Sequence, residues 1–271
     1  MSCACGHHHD HHHHHADQPG GDPVALARPM IGLTGRLICA DAAQMVTALT
    51  LLPDHVALSR AEPGCLRFDL HQADEPGIWH LSELFSDADA FAAHQARNAA
   101  SAWGQQSGDL KRDFTRGEAQ PVIHPERTAD WAAIGDLLRA AFGGGEEAAL
   151  VAALRRDGDL DLSLVAHHQG TILGHVALSP VAAPFPALAL APVAILPAMQ
   201  KRGLGGALIR AAQALRPDHT IIVLGDPAYY GRFGFRPVAW DSPYAGPYLQ
   251  AIGPHLPARA TIRHAPAFAG V

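Results

Sequence analysis

The sequence predicts an α+β chain of two units behind an unusual leader. Three observations carry this. From Met30 the strand and helix patterns run in the order β-α-β-β-α-β. Near Val122 a second series of amphipathic helices and apolar strands begins. Within it, "LPAMQKRGLGGALIRAAQAL" (Leu196 to Leu215) packs three glycines and three polar side chains into one turn before an apolar helix pattern. A length of 271 residues is long for one compact domain and comfortable for two.

The elements follow in order. Residues 1–28 are polar, His-rich and then Gly/Pro-punctuated, and read as a disordered leader. "PMIGLTGRLIC" reads as a strand, and "DAAQMVTALTLLPDHVALS" as a helix capped by Asp41. "AEPGCLRFDLHQA" is a turn and a second strand, and "GIWHLSELF" alternates as a third. "SDADAFAAHQARNAA" is an Ala-rich helix with Ser86 as its expected cap, and "RDFTRGEAQPV" closes the unit as a strand. That order is the ferredoxin-like arrangement, placed at residues 29–119.

The second unit is expected over residues 122–268. "PERTADWAAIGDLLRAAF" reads as a helix capped by Thr128 or Asp130, and "GGGEEAALVAALRRDG" as another between glycines. "DLSLVAHHQGTILGHVALSP" gives two strands around His168-Gln169-Gly170. "ALALAPVAIL" is a buried strand, and "HTIIVLG" follows the glycine-turn helix.

Composition bounds the function. With 48% hydrophobic and 17% charged residues the chain can build real cores. A net charge of −6 argues against a general nucleic-acid binder. No run of about 18 or more apolar residues uninterrupted by proline exists, so no membrane-spanning helix is expected, and no secretory signal core is visible. The four cysteines, Cys3, Cys5, Cys39 and Cys65, form no disulfide framework, so a cytoplasmic protein is expected.

The glycine turn reads as an anion site. The first turn of a helix leaves backbone N–H groups without partners, and the helix dipole adds partial positive charge. Glycines let an anion approach the backbone. "QKRGLGGAL" is therefore a diphosphate cradle with Gly203, Gly205 and Gly206 at the approach and Lys201 or Arg202 as a fixed charge. A Walker loop needs Lys-Ser/Thr after its last glycine, whereas Ala207 and Leu208 stand there. The dinucleotide spacing fails as well.

Gln200-x-x-Gly203-x-Gly205 resembles the acyl-CoA signature of the GNAT superfamily of N-acetyltransferases, and "LGDPAYYGRFGFRPV" (Leu224 to Val238) resembles a subgroup of it. The resemblance implies an acetyl-CoA-dependent transfer of an acetyl group to an amine. Main-chain groups of Val193, Ala194 and Ile195, on a splayed central strand, would hold the pantetheine arm and polarise the thioester carbonyl. Amides from Gln200 through Lys201, Arg202, Gly203, Leu204, Gly205 and Gly206 to Ala207 would hold the pyrophosphate. Tyr230 matches the position of the acid that protonates the leaving thiolate, and Tyr229 is read as structural. The base is open among Glu146, Glu147, His167, His168 and His175. Acceptor choice is expected from the loops "GGGEE" and "AAPFPAL".

In the first unit, "EPGCLRFDLHQADEPGIWHLSELFSDADAFAAHQ" (Glu62 to Gln95) resembles the antibiotic-biosynthesis-monooxygenase family, whose ferredoxin-like sheets pair into a dimeric α+β barrel. It implies either a cofactor-free oxygenase or, as favoured here, a homodimerising accessory domain with His94 near the interface. Trp79, Trp103, His94 and Asn98 supply the residue types of a haem-degrading set.

The leader holds Cys3 and Cys5 and then His7, His8, His9, His11, His12, His13, His14 and His15. Imidazole and thiolate suit zinc, nickel or copper. The run reads as a native, flexible chelating tail, and a metal-handling protein is an alternative function. The expected partner is a small-molecule or peptide amine, with no nucleic acid and no membrane.

Overall fold

The computed structural model describes residues 21–270, so the leader's Cys3, Cys5 and His7 to His15 lie outside the described residues. The first unit comprises β1 (Met30–Ile38), α1 (Ala42–Arg60), β2 (Cys65–Gln72), β3 (Ile78–Phe85), α2 (Ala88–Ala100), α3 (Ala102–Gln106) and β4 (Lys111–Ala119). Its four strands form an antiparallel sheet in the order β2-β3-β1-β4, the ferredoxin-like topology. Asp41 caps α1 as expected, accepting from the Gln44 N–H at 2.9 Å. The cap of α2 is Asp87, not Ser86: the Asp87 side chain accepts from the Ala90 N–H at 2.8 Å. The expected closing strand is divided. β4 stops at Ala119, and after Gln120-Pro121 the chain enters β5 (Val122–Pro125), which belongs to the other sheet.

The second unit continues with α4 (Trp131–Phe142), α5 (Glu146–Asp157), β6 (Leu162–His168), β7 (Thr171–Ala182), β8 (Ala187–Ile195), α6 (Leu204–Leu215), β9 (Thr220–Leu224), α7 (Pro227–Tyr230), β10 (Arg236–Pro237), β11 (Leu249–Ile252) and β12 (Arg263–His264). Neither Thr128 nor Asp130 caps α4 by its side chain, because a 3-10 turn at Thr128–Asp130 intervenes and Asp130 accepts from the Arg127 N–H instead. The sheet runs β10-β11-β9-β8-β7-β6-β5, with β12 paired to β7. β8 and β9 are parallel but pair only where Ala187, Leu188 and Ala189 meet Thr220, Ile221 and Ile222. Beyond Ala189 the two strands part, which opens the sheet at its centre. α6 is anchored by Leu204, Leu208, Ile209 and Ala212, all buried. Burying each Leu or Ile side chain contributes about 1.5–3 kcal/mol.

The two units share a core. One cluster joins Met30, Leu84 and Ala119 of the first sheet to Leu164, Leu173, Leu208 and Ile221 of the second unit. Met30, Leu84 and Ala119 lie on the face of the first sheet turned away from α1 and α2, as the pairings Gly32↔Leu84 and Met30↔Ala119 require. That face is therefore partly covered within one chain.

Candidate active site

The parting of β8 from β9 creates a cavity of about 660 Å³ at the head of α6. Strand alternation aims Val193 and Ile195 into it and turns the Ala194 side chain to the opposite face, against Ile134 and Val165. Gln200, Lys201, Gly203, Gly205 and Gly206 form the lip, and Tyr229, Tyr230 and Phe233 the far wall.

The turn is arranged to leave donors free. Among the described residues, the amides of Lys201, Arg202, Gly203, Leu204, Gly205 and Gly206 have no acceptor. The expected set is trimmed at both ends. The Gln200 N–H donates to the Pro197 carbonyl at 3.2 Å and the Ala207 N–H to the Gly203 carbonyl at 3.1 Å, so those two are committed. The Gln200 side chain reaches back to the Ile195 carbonyl at 3.2 Å and ties the turn to the strand end. Two consecutive-but-one residues adopt the left-handed region, Lys201 at φ 62° and Gly203 at φ 95°. Gly205 is needed for a different reason: a Cβ there would lie 3.0 Å from the Tyr229 hydroxyl. Leu204 turns its side chain into the core and contributes only its amide.

Of the two candidate charges, one faces the cavity. Lys201 lines the cavity but Arg202 does not. Its guanidinium turns to the first unit, 2.7 Å from Asp87 Oδ2 and 2.8 Å from the Ser86 carbonyl. Arg210 and Arg232 line the cavity in its place, with Arg210 over the Phe233 ring and Arg232 over the Tyr229 ring. Arg210 stands four residues after Gly206, a same-face helical spacing that could have revealed it.

Tyr230 packs edge-on against Tyr229 and Phe235. Burial, followed by the neighbouring Tyr229, pushes its phenol up to about 12. It is therefore a neutral hydroxyl across the physiological range. Gly225 makes room for its ring, which a Cβ at that position would overlap.

A second cavity of about 430 Å³ lies on the other side of Val193 and Tyr230, which line both. Glu147, at the start of α5, borders it, alone among the five candidate bases. Glu146 is exposed outside it. His175 is fully buried, 2.8 Å from Ser163 Oγ, and burial holds its pKa down at about 4. His167 packs on His124, and His168 contacts the Gln120 carbonyl at 3.0 Å. Of the two specificity loops, the one after Phe142 reaches this cavity, whereas Phe185 packs on Trp240 and His255 elsewhere.

The first unit encloses a cavity of about 130 Å³ between its sheet and helices, lined in part by His55, Glu83, His94, Asn98 and Trp103. His94 is buried, 3.0 Å from Glu62 Oε2. Arg97 clamps Glu62 at 2.7 Å. Trp79 lies outside the lining, so the haem-degrading set is not assembled. Ligand pockets span about 300–1,000 Å³, and a haem does not fit here. Among the described residues no group of three His, Cys, Asp or Glu side chains could hold a metal, and no helix is long and apolar enough to cross a membrane.

Comparison with known proteins agrees with this geometry. A family model described as "Acetyltransferase (GNAT) domain" matches residues 159–237, and one described as "Antibiotic biosynthesis monooxygenase" matches residues 38–106. The chain is 36% identical over 138 residues to the uncharacterized N-acetyltransferase YjhQ of Escherichia coli (strain K12), covering 47% of this chain and 76% of that protein. It is 37% identical over 121 residues to the uncharacterized N-acetyltransferase YhbS of the same strain, covering 42% of this chain and 72% of that protein. The crystal structure of Escherichia coli YhbS in complex with CoA is similar, with a TM-score of 0.51, 28% identity, and coverage of 55% of this chain and 92% of that one.

Proposed function

The chain belongs to the GNAT family of acetyltransferases, and from that premise we propose that it transfers an acetyl group from acetyl-CoA to an amine across Tyr230. One observation carries the reading. Two cavities, one under six free amides and one beside Glu147, meet at Val193 and Tyr230. A donor in the first and an acceptor in the second would bring thioester and amine together there.

The chemistry follows from the groups present. Amides at the head of α6, with Lys201, Arg210 and Arg232, suit a pyrophosphate. The unpaired edge of β8 from Leu190 to Ile195 offers main-chain groups to the pantetheine arm and to the carbonyl oxygen. The amine nitrogen, having shed its ammonium proton to solvent, attacks the carbonyl carbon and forms the C–N bond. The C–S bond breaks, and the second proton that the nitrogen then sheds restores, through solvent, the one Tyr230 gives up. Tyr230 gives its proton to the departing sulfur. Glu147 orients the amine.

On this reading the GNAT domain occupies residues 122–268 and an antibiotic-biosynthesis-monooxygenase-like domain residues 29–119, with a leader before them. The first domain serves as an accessory module. A homodimer would form on the part of its sheet face that the second unit leaves uncovered, and sedimentation velocity tests it. Metal binding by the leader is tested by titrating zinc or nickel into the full chain and into a chain lacking residues 1–28. A cytoplasmic location agrees with Cys39 and Cys65, both free among the described residues.

The decisive experiment is calorimetric titration with acetyl-CoA, followed by thiol release in a screen of amines. Saturable binding with amine-dependent thiol release is the expected result. Absence of binding would overturn the reading.

A further inference from the structure

Resting on that reading, we propose that the acceptor is a primary amine carried on an apolar ring or branched alkyl body, and not a polyamine or a basic peptide. The second cavity is walled by Phe142, Leu150, Leu190, Leu224, Tyr244 and Phe268. The Tyr244 hydroxyl is already donated to the Phe268 carbonyl at 2.9 Å, which leaves its ring as wall. Among the described residues, Glu147 is the only charged side chain in the lining. Phe142 is 45% exposed and Leu224 is 43% exposed, apolar surface that the protein core does not use. A ligand covering it gains about 25 cal/mol for each Å² removed from water. A cavity of about 430 Å³ holds one small molecule, with its ammonium beside the single carboxylate and its body on the apolar wall. A polyamine would bring further cations into that wall with no carboxylate to meet them, a costly desolvation.

The test compares 2-phenylethylamine and isopentylamine with spermidine and a Lys-rich peptide at saturating acetyl-CoA. The apolar amines are expected to show at least a 100-fold higher kcat/KM. Glu147→Gln should raise KM for 2-phenylethylamine at least tenfold and leave KM for acetyl-CoA unchanged. Equal or better turnover of spermidine or the peptide overturns the acceptor class. So does failure of either apolar amine to react while calorimetry shows acetyl-CoA bound, a result that leaves the donor site standing. Loss of acetyl-CoA binding itself would instead remove the transferase reading.

A different observation assigns a role to the first domain. The geometry points to Asp87 as the residue that fixes the shape of the pyrophosphate turn, through Arg202. The Arg202 guanidinium is 15% exposed and the Asp87 carboxylate 10% exposed, at 2.7 Å. A second guanidinium nitrogen donates to the Ser86 carbonyl at 2.8 Å. Asp87 is itself held by capping α2 and by Arg28 at 3.6 Å. The turn it grips has left-handed residues on either side of Arg202, at Lys201 and Gly203, a conformation that costs about 1 kcal/mol or more at Lys201 and needs external support. A separate link, Arg67 to the Gln169 carbonyl at 3.0 Å and Thr171 Oγ1 at 3.0 Å, joins the domains away from the turn.

Asp87→Asn keeps a side chain able to cap α2 but discharges the Arg202 contact. It should raise KM for acetyl-CoA about tenfold with kcat within twofold. Arg202→Ala should do the same, and the double variant should be no worse than either alone. Asp87→Glu should recover part of the loss. Arg67→Ala should lower thermal stability and leave KM unchanged. An unchanged KM in Asp87→Asn, additive effects in the double variant, or an equal rise in Arg67→Ala would overturn the assignment.

Discussion

At the head of α6, six amides without acceptors stand at the lip of an open cavity, with Lys201, Arg210 and Arg232 around it. Under α2 in the first domain the polar groups are held differently. Glu62 is bound by His94 at 3.0 Å and by Arg97 at 2.7 Å, and Arg97 also donates to Ser59 at 2.7 Å. The first region keeps its donors unpaired and wet, at little cost, because water satisfies them until a ligand replaces it. The second is enclosed, where burial penalises what stays charged, and Glu83 Oε2 and Asn98 Oδ1 are buried there without a hydrogen-bond partner. Burial pushes Glu83 up to about 8 and His55 down to about 3, so both are uncharged near neutral pH. Unpaired groups beside solvent mark a binding site. Paired or neutralised groups inside a small cavity mark an interior whose stability depends on pH.

The largest break in that comparison should come from Gly205→Glu. A Cβ there meets the Tyr229 hydroxyl, and the new carboxylate would stand among the free amides and repel a diphosphate. Acetyl-CoA affinity should fall by more than ~100-fold in calorimetry, about 2.7 kcal/mol or more. The far-UV spectrum and melting temperature should keep the character of the folded chain. Retained affinity would show that the turn is an ordinary helix entry.

Tyr230→Phe comes next. It removes one hydroxyl and keeps the ring packed on Tyr229 and Phe235. Removing a general acid costs about 100-fold or more when proton donation limits the rate, and kcat is expected to fall by roughly 30-fold or more. KM for acetyl-CoA should stay within twofold. The phenol's raised value of about 12 also sets the alkaline behaviour. Its donor form exists below its pKa, so the raised value keeps the donor present past pH 10. Activity should show no loss from this group up to that pH, and a rate limb near 10 that disappears in Tyr230→Phe would contradict the assignment.

How much of this was legible in the sequence differs between the two regions for a physical reason. The glycine turn is local: Gln200, Gly203 and Gly205 sit within six residues, and the free amides at a helix head follow from helix geometry, whereas the need for Gly205 beside the Tyr229 hydroxyl does not. Tyr230 was reached only through the resemblance of Leu224 to Val238 to a GNAT subgroup, and its packing on Tyr229 and Phe235 is tertiary. The choice between Lys201 and Arg202 as the fixed charge stayed open in the sequence because the partner of Arg202, Asp87, lies in another domain, and no local spacing announces such a contact. His175 was open as a base because strand alternation does not reveal that Ser163 and Glu126 enclose it. The cap of α2 was misplaced by one residue, since Ser86 and Asp87 are both good caps and the strand end decides between them. Arg210 and Arg232 are cations that tertiary packing brings to the site by laying them over Phe233 and Tyr229.

The smallest effect expected is on stability, at Glu83. Its carboxyl is protonated in the folded domain up to about pH 8, against an ordinary value of 4.5, with burial the main cause and Glu62 the second. Below pH 4.5 both folded and unfolded chains hold the proton, and the contribution is fully present. As pH rises the unfolded chain releases it first, so stability falls until the folded carboxyl ionises near 8. His55 has the opposite sign. It is held down at about 3 from 6.5, and its contribution grows between those values and is then constant. From pH 6.5 to 8 the fall due to Glu83 runs against a rise from the histidines that burial holds down, among them His55 and His175, whose last protons leave the unfolded chain just above 6.5. Measured as the difference from Glu83→Gln, unfolding free energy should drop across that window by on the order of 2 kcal/mol, one pKa unit being 1.36 kcal/mol. Glu83→Gln keeps the shape and cannot ionise, so it keeps the histidine rise and lacks the fall. Denaturant titrations at the two pH values read the slope directly. An equal slope in both proteins would mean that Glu83 is ionised in the folded state, and that the inner cavity tolerates charge as the open one does.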